Sequence, residues 1–190
     1  YMLRVRIAGG AMTARQVRTI AEAALRNGSD ILHVTTRQDL QLHNLDIGAT
    51  PAVMQELEKA GLASVGGGGN TVRNISACPY SGVCPQELFD TTPFAAALTQ
   101  SMMASKSSFN LPRKYKIAFS GCRADCAMAG FADLGFIARI KDGKPCFKLY
   151  SGGGMGADSR IADVICDALP LEDVFRAAEA VRRIFDKFGD

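Results

Sequence analysis

Residues 111–126 read LPRKYKIAFSGCRADC and place a basic segment, a strand pattern and two cysteines in succession. The alternation in KYKIAFS predicts a β-strand that carries Lys114 and Lys116 on the same face. Cys122 and Cys126 follow among small and turn-forming residues. This strand therefore carries its cations immediately before a cysteine loop.

A second cysteine pair lies in CPYSGVC, where Cys78 and Cys84 bound a short loop. Two short loops with two cysteines each can supply the four thiolates of a cubane iron–sulfur cluster. Small residues in both loops would let backbone amides approach the sulfurs and stabilise a charged cluster. Two alternatives remain open at this point: a structural zinc site, which usually recruits more closely spaced pairs, and buried cysteines that bind nothing.

The basic residues form a second group. Arg6 lies in a strand pattern, Arg37 follows another, Arg73 precedes the first cysteine loop, and Lys114 and Lys116 precede the second. Taken singly, each is more often a solvated surface charge. If the cysteine loops converge, however, these cations converge too, and clustered cations beside a cofactor can bind an anion and supply protons.

The composition is typical of a soluble globular protein. The chain has 190 residues, is 47% hydrophobic and 22% charged, and carries a formal net charge of +3, so it can bury a core. Long Lys/Arg runs, a signal peptide and a membrane-length apolar run are all missing from the sequence. We therefore expect a cytoplasmic protein without nucleic-acid or membrane partners, whose cysteines are ligands or core residues. Cys146 and Cys166, in a strand pattern and a helix pattern, are predicted core residues.

The first half of the chain predicts a β-α-β-β-α unit. A strand at residues 3–7 precedes a helix that Thr13 caps and that Gly28 ends in a left-handed conformation. Two strands, in ILHVTTR and LQLHNL, and a helix opened by Thr50 complete the unit. The glycine-rich VGGGGN at 65–70 predicts a boundary or a close backbone approach.

The second half also mixes helices and strands, so the predicted class is α+β. A helix opens at Thr92, and a short helix is expected at 124–132. Asp142 and Gly143 predict the turn of a β-hairpin, and residues 171–188 predict a long amphipathic helix.

Several motifs together resemble the sirohaem-containing sulfite and nitrite reductases. They are TVRNISACP with its Cys-x5-Cys pair, NLPRKYKIAFSGC with its Cys-x3-Cys pair, MLRVRIAGG, HVTTRQDLQLH and YSGGGMG. The resemblance covers nearly the whole chain. It implies a ferredoxin-like half-domain at 1–64, followed by a mixed α/β sirohaem and [4Fe-4S] domain at 70–190.

The resemblance also implies chemistry, cofactors and roles for particular residues. Members reduce sulfite to sulfide, or nitrite to ammonia, by six electrons at a sirohaem bridged through a cysteine sulfur to a [4Fe-4S] cluster. By position, the cluster ligands would be Cys78, Cys84, Cys122 and Cys126, with Cys126 as the bridge. The substrate anion would be bound by Arg6, Arg73, Lys114 and Lys116, and the sirohaem carboxylates by Arg37 and Gln41.

The chain departs from the family pattern in two respects. Family members usually contain two such repeats, with substrate-binding cations mainly from the first and cluster cysteines from the second, whereas this chain combines both in one repeat. We expect the N-terminal half of a longer reductase, the alternative being a homodimer that restores the missing repeat. His33 stands where the family often has an arginine facing the haem carboxylates.

The electron donor implied by the resemblance is a ferredoxin or a flavoprotein, and the sequence does not separate sulfite from nitrite. A different class of function is also open, namely a non-catalytic iron–sulfur electron-transfer or structural module without sirohaem.

Overall fold

The computed structural model describes residues 1–189 and confirms the α+β class. In chain order the elements are β1 Leu3–Val5, α1 Ala14–Asn27, β2 Leu32–Val34, β3 Leu40–Leu42, α2 Thr50–Lys59, α3 Thr92–Ala104, β4 Ile117–Ser120, β5 Leu134–Lys141, β6 Lys144–Ser151, β7 Asp163–Pro170 and α4 Val174–Phe188. Short 3-10 turns lie at Ala8–Gly10, Lys106–Phe109, Ala129–Phe131 and Leu171–Asp173.

The first unit is the predicted β-α-β-β-α arrangement. Its antiparallel sheet has the order β1-β3-β2, and α1 packs against α2 beside it. Thr13 caps α1 in a capping box with Gln16, as its position predicted. The left-handed exit predicted at Gly28 is wrong, since its φ is −142°. Glycine is needed there because a Cβ would lie 2.6 Å from the carbonyl oxygen of His43.

The second unit is built on a four-stranded sheet of order β4-β5-β6-β7. β4 runs parallel to β5, and the remaining pairs are antiparallel. Its core is aromatic: the rings of Phe119 and Phe136 stack at 4.4 Å, and Phe147 meets both edge-on. This core therefore packs against β4 just before the second cysteine loop begins.

The hairpin and the C-terminal helix agree with the sequence pattern. Asp142 and Gly143 join β5 to β6 with φ values of 51° and 74°, the pair of positive angles that this two-residue turn requires. The C-terminal helix begins at Val174, after the turn at Leu171–Asp173.

Two predictions for the second half were wrong. Cys166 lies in β7 rather than in a helix, and the helix expected at 124–132 is only the turn Ala129–Phe131. Asp125 and Met128 adopt positive φ values of 51° and 57°, which interrupt a helix.

The two units are joined by side-chain amides. Asn74 Nδ2 donates to the carbonyl oxygens of Ile7 at 2.6 Å and Arg37 at 2.8 Å. Gln38 donates to the carbonyl oxygen of Ala77 at 2.8 Å and accepts from the same residue's N–H at 3.0 Å. The residues just after β1 and those between β2 and β3 are thereby held against the segment that pairs with β4.

Among residues 1–189, no helix combines the length and the apolar character that crossing a membrane would take.

Candidate functional site

The site is organised by a segment that runs parallel to the start of β4. Val72 bridges Tyr115 and Ser76 bridges Ala118, both in parallel pairing. The N–H of Arg73 donates to the carbonyl oxygen of Tyr115 at 2.8 Å. Because both segments point the same way, the cysteine loops that follow them leave the same edge side by side.

The first loop contacts the second through the sulfur of Cys78. Cys78 and Cys122 are both buried. Burial raises the pKa of the Cys78 thiol, and hydrogen bonds from the backbone N–H groups of Tyr80 and Gly121 lower it. The charges of Cys126 and Cys122 act on it as well. Backbone amides from both loops therefore reach this sulfur, as the small residues in the sequence suggested.

Asp125 shapes the second loop. Its carboxylate accepts hydrogen bonds from Ser120 Oγ at 2.5 Å and from the N–H groups of Ala129 at 2.7 Å and Gly130 at 2.9 Å. This turn holds Cys126 at the surface.

Gly135 allows the same loop to lie flat on the sheet. It belongs to β5, and a Cβ at this position would lie only 1.9 Å from the carbonyl oxygen of Ala129. The position of the second cysteine pair therefore depends on having a glycine, with no side chain, in the neighbouring strand.

The cysteine thiols of the two loops are suitable ligands for an iron–sulfur cluster, although they do not converge on one point. All six cysteines are free thiols. Within residues 1–189 no three His, Cys, Asp or Glu side chains converge closely enough to hold a metal ion. Cys78 nonetheless lies close enough to Cys122 and Cys126 for their charges to interact, and Cys84 ends the same short loop. The four thiols on adjoining loops match the ligand chemistry of a [4Fe-4S] cluster.

Cations converge beside these loops. Burial lowers the pKa of Lys116, and the charges of Arg37, Lys114 and Arg73 lower it further. Burial likewise lowers the pKa of Arg37 and of Arg73, with Arg4 contributing to both. The structure thus gathers four of the predicted site residues, and Arg4, into one electropositive region.

A buried carboxylate, Asp39, and a half-buried one, Asp133, accompany this region. Asp133 accepts the N–H of Lys116 at 2.7 Å, and Asp39 accepts the N–H of Ile7 at 3.4 Å. Burial raises the pKa of both carboxyl groups, while nearby cations oppose the shift. Each therefore counters part of the positive charge.

Arg6 is turned into the protein. It is 7% exposed, and its Nε and Nη2 donate to the carbonyl oxygens of Val65 and Val72, each at 3.0 Å. The glycine-rich segment closes over it, since a Cβ on Gly66 would lie 2.5 Å from Nη2. Among the described residues, its Nη1 has no hydrogen-bond partner. The charged side chains that interact with its guanidinium are Asp39 and Arg73.

Gln41 lies on the middle strand between two basic neighbours. It pairs with Arg4 on one side and His33 on the other. With its amide oriented to satisfy both ends, the oxygen accepts from Arg4 Nη2 at 2.7 Å and the nitrogen donates to His43 Nε2 at 3.3 Å. The rings of His33 and His43 meet edge-on at 6.2 Å.

A cavity of about 420 Å³ lies beside Arg37 and Lys116, and its lining suits an anionic macrocycle. Arg37 and Lys116 supply charge, and the exposed side chains of Met128, Phe131 and Met155 supply an apolar rim. Asn74, which also lines the cavity, has a buried Oδ1 without a hydrogen-bond partner in residues 1–189. Cationic and apolar linings together are what a ring with carboxylate substituents requires, so the residues present fit sirohaem.

Sequence reasoning missed Arg4, Asp39 and Asp133. Arg4 had a usable signal, because it lies two residues before Arg6 and therefore on the same face of the predicted strand. The two aspartates carried none, since their position beside the cations follows from pairing between distant segments.

Known proteins resemble the chain over its whole length. A family model described as "Nitrite and sulphite reductase 4Fe-4S domain" matches residues 68–190, and one described as "Nitrite/Sulfite reductase ferredoxin-like half domain" matches residues 1–60. The ferredoxin--nitrite reductase of Leptolyngbya laminosa is 35% identical over 191 residues, covering 97% of this chain and 38% of that protein. Sulfite reductase [ferredoxin] 1 of Mycolicibacterium paratuberculosis is 30% identical, covering 100% and 34%.

A solved structure, that of the Mycobacterium tuberculosis NirA protein, superimposes with a TM-score of 0.91 at 26% identity, over 98% of this chain and 34% of that one. The chain therefore spans little more than a third of the length of these relatives.

Proposed function

Because the chain belongs to the nitrite and sulfite reductase family, we propose that it forms part of an enzyme that reduces nitrite or sulfite with a sirohaem and a [4Fe-4S] cluster. One observation carries the proposal. The parallel pairing of residues 72–76 with 115–118 places the converging cations and the two cysteine loops at one edge. An iron–sulfur module without haem would leave that cation cluster without a role.

We assign the cofactors to the residues that the resemblance to the family implies. Cys78, Cys84, Cys122 and Cys126 would bind the cluster, and Arg37 and Gln41 would bind carboxylates of the haem. When bound, the coupled cofactors supply electrons one at a time to the oxyanion.

The cations bind and orient the oxyanion. Arg73 and Lys114 attract it electrostatically, and Lys116, with its lowered pKa, can release a proton from Nζ to an oxygen of the anion. Arg6 braces the glycine-rich segment through Nε and Nη2, and its remaining nitrogen, Nη1, can contribute a further hydrogen bond.

Several finer points belong to the same proposal. We place the domain boundaries at 1–64 and 70–190, on either side of the glycine-rich segment. The free thiols favour a reducing compartment, hence the cytoplasm. A ferredoxin is the proposed donor, because the similar reductases carry that donor in their names. A second repeat or a second copy would complete the active site.

Turnover tests the function directly. The protein carrying this chain, prepared anaerobically from its complete coding sequence, should convert nitrite to ammonium or sulfite to sulfide with reduced methyl viologen. A preparation that contains both cofactors and consumes neither anion would contradict the proposal. A cluster spectrum without haem absorption would instead indicate the iron–sulfur module.

A further inference from the structure

The outer face of the second sheet carries a basic groove that the mechanism does not use. The groove has a volume of about 510 Å³. Its lining includes Leu88, Arg123, Ile137, Arg139, Lys148 and Tyr150. It lies on the side of the sheet opposite the aromatic core.

The second cysteine loop covers only part of this outer face. Ala127, Ala129 and Ala132 pack with Ile137 over β4 and β5. The rest of the face, along β5 and β6, stays open. The groove therefore runs directly alongside the loop that carries Cys122 and Cys126.

The groove has an excess of positive charge. Arg139 forms an ion pair with Asp167, and Lys148 lies 3.9 Å from the same carboxylate and 5.4 Å from the ring centroid of Tyr150. Arg123 is exposed on the opposite wall. One carboxylate thus offsets only one of three cations, and partly exposed charges of this kind attract an acidic partner over a distance.

A smaller cavity of about 220 Å³ connects the groove to the cysteine site. It is lined by Gln86, Leu88, Cys122 and Arg123, and so shares Leu88 and Arg123 with the groove. A protein seated in the groove would therefore lie next to one of the proposed cluster ligands.

Exposed apolar side chains stand beside the cations. Tyr80 and Val83, in the first cysteine loop, are 59% and 79% exposed, and Leu88, which follows that loop and lines the groove, is 44% exposed. An apolar patch bordered by charge is the usual composition of a protein–protein interface.

We propose that the basic groove is the docking face for a small acidic iron–sulfur protein that delivers electrons beside Cys122. The inference rests on the proposed function. In each docking event the reduced donor loses one electron, the cluster gains one, and no bond is made or broken. The charge excess and the continuity with Cys122 select this occupant over a second copy of the chain, whose net charge is also positive.

Charge reversal tests the groove. The groove variant is a double substitution, Arg139→Glu and Lys148→Glu. The α1 variant, Arg15→Glu and Arg18→Glu, makes the same charge change at exposed positions of α1 and is the control. The protein is loaded with its cofactors, and an acidic [2Fe-2S] ferredoxin is the probe. The groove variant should bind ferredoxin at least tenfold more weakly at low salt, and its KM for ferredoxin should rise by a similar factor. Its rate with reduced methyl viologen should stay unchanged. The α1 variant should behave as wild type.

Arg123→Glu serves as the second variant if the double change disturbs folding, and should weaken binding severalfold. Equal ferredoxin affinity in the wild type and in these groove variants would overturn the docking proposal, as would ferredoxin binding by the wild type that is insensitive to salt. Weakened binding in a protein that reduces neither anion with any donor would support the docking face and refute the proposed function, so the two failures are distinguishable.

Discussion

Lys116 is the residue that we propose as the proton donor. Its ammonium is partly buried among Arg37, Lys114 and Arg73, and both effects lower its pKa. A lowered pKa favours proton release, which is what a leaving oxygen needs.

Lys116→Met should lower kcat/KM for the oxyanion by about 100-fold or more, because a positioned proton donor contributes on that order. Since the protonated form is the active one, wild-type turnover should fall as pH rises through the lowered pKa of Lys116, and the variant should lose that dependence. Lys106→Met, at an exposed position on a 3-10 turn, is the matched control. Identical pH profiles for the Lys116 variant and the wild type would exclude this role.

Cys126 is the exposed member of the proposed ligand set. Cys126→Ser should abolish the cluster or reduce its iron and acid-labile sulfide severalfold, because the thiolate ligand is lost. Cys166→Ser, in β7, changes a thiol outside the loops and should leave the iron content at the wild-type level. Full iron content in the Cys126 variant would remove it from the ligand set.

At this scale the sequence predicted that Arg37, Arg73, Lys114 and Lys116 would converge if the cysteine loops did, and the structure shows these cations close together beside the loops. The roles of these residues and of the cysteines stay predictions. The sequence could not predict Asp39 or Asp133, which reach the cations only through strand pairing. Nor could it show that Arg6 already binds two backbone carbonyls.

Among the elements, β5 fixes the second cysteine loop. Gly135→Ala would drive a methyl group into the carbonyl of Ala129, so the loop must lift from the sheet. We expect a destabilisation of roughly 1–3 kcal/mol in chemical denaturation, as for other overpacked sites, together with reduced iron incorporation. Gly154→Ala is the control, because its Cβ would meet nothing within 4 Å. Wild-type stability in the Gly135 variant would show that the loop does not need this contact.

Helix α4 contributes a pH-dependent term to stability. Hydrogen bonds from Arg182, followed by those from Arg183, lower the pKa of Glu179 from 4.5 to about 2. Since the folded pKa is depressed, the stabilisation is present above about pH 4.5 and disappears as pH falls towards 2. The carboxylate is 35% exposed, so solvent screening limits the effect to roughly 1–2 kcal/mol.

Glu179→Gln should therefore lower the free energy of unfolding by that amount at pH 7, and the difference from wild type should vanish near pH 2 in urea titrations. The exposed Glu172→Gln serves as the comparison. A stability difference that stays constant from pH 7 to pH 2 would show that the ion pair is not its source.

Elements with strong local signals were predicted, and those without were not. The Asp142–Gly143 turn and the α1 capping box are encoded within a few residues. β7 was missed because it does not alternate clearly: its adjacent Val164 and Ile165 are both about half exposed. The 124–132 segment was misassigned because its apolar residues cover a sheet rather than form a helix.

At the scale of the whole molecule, hydrogen bonds join the two units. Hydrogen bonds of Asn74 and Gln38 join the residues just after β1 and those between β2 and β3 to the segment from which the first cysteine loop leaves. This juxtaposition gives a single chain both the cations and the thiols. The relatives are between two and a half and three times longer than this chain, since it covers 38% and 34% of their length.

The most direct test of this account is the cofactor content of the protein carrying this chain, expressed anaerobically in cells that make sirohaem. An absorption spectrum should be recorded with iron and acid-labile sulfide assays on the same sample. The account predicts haem bands together with cluster iron and sulfide, and a loss of the cluster signal in Cys126→Ser. A folded protein with neither haem nor sulfide would contradict it, because the cations and thiols gathered at this edge would then hold no cofactor.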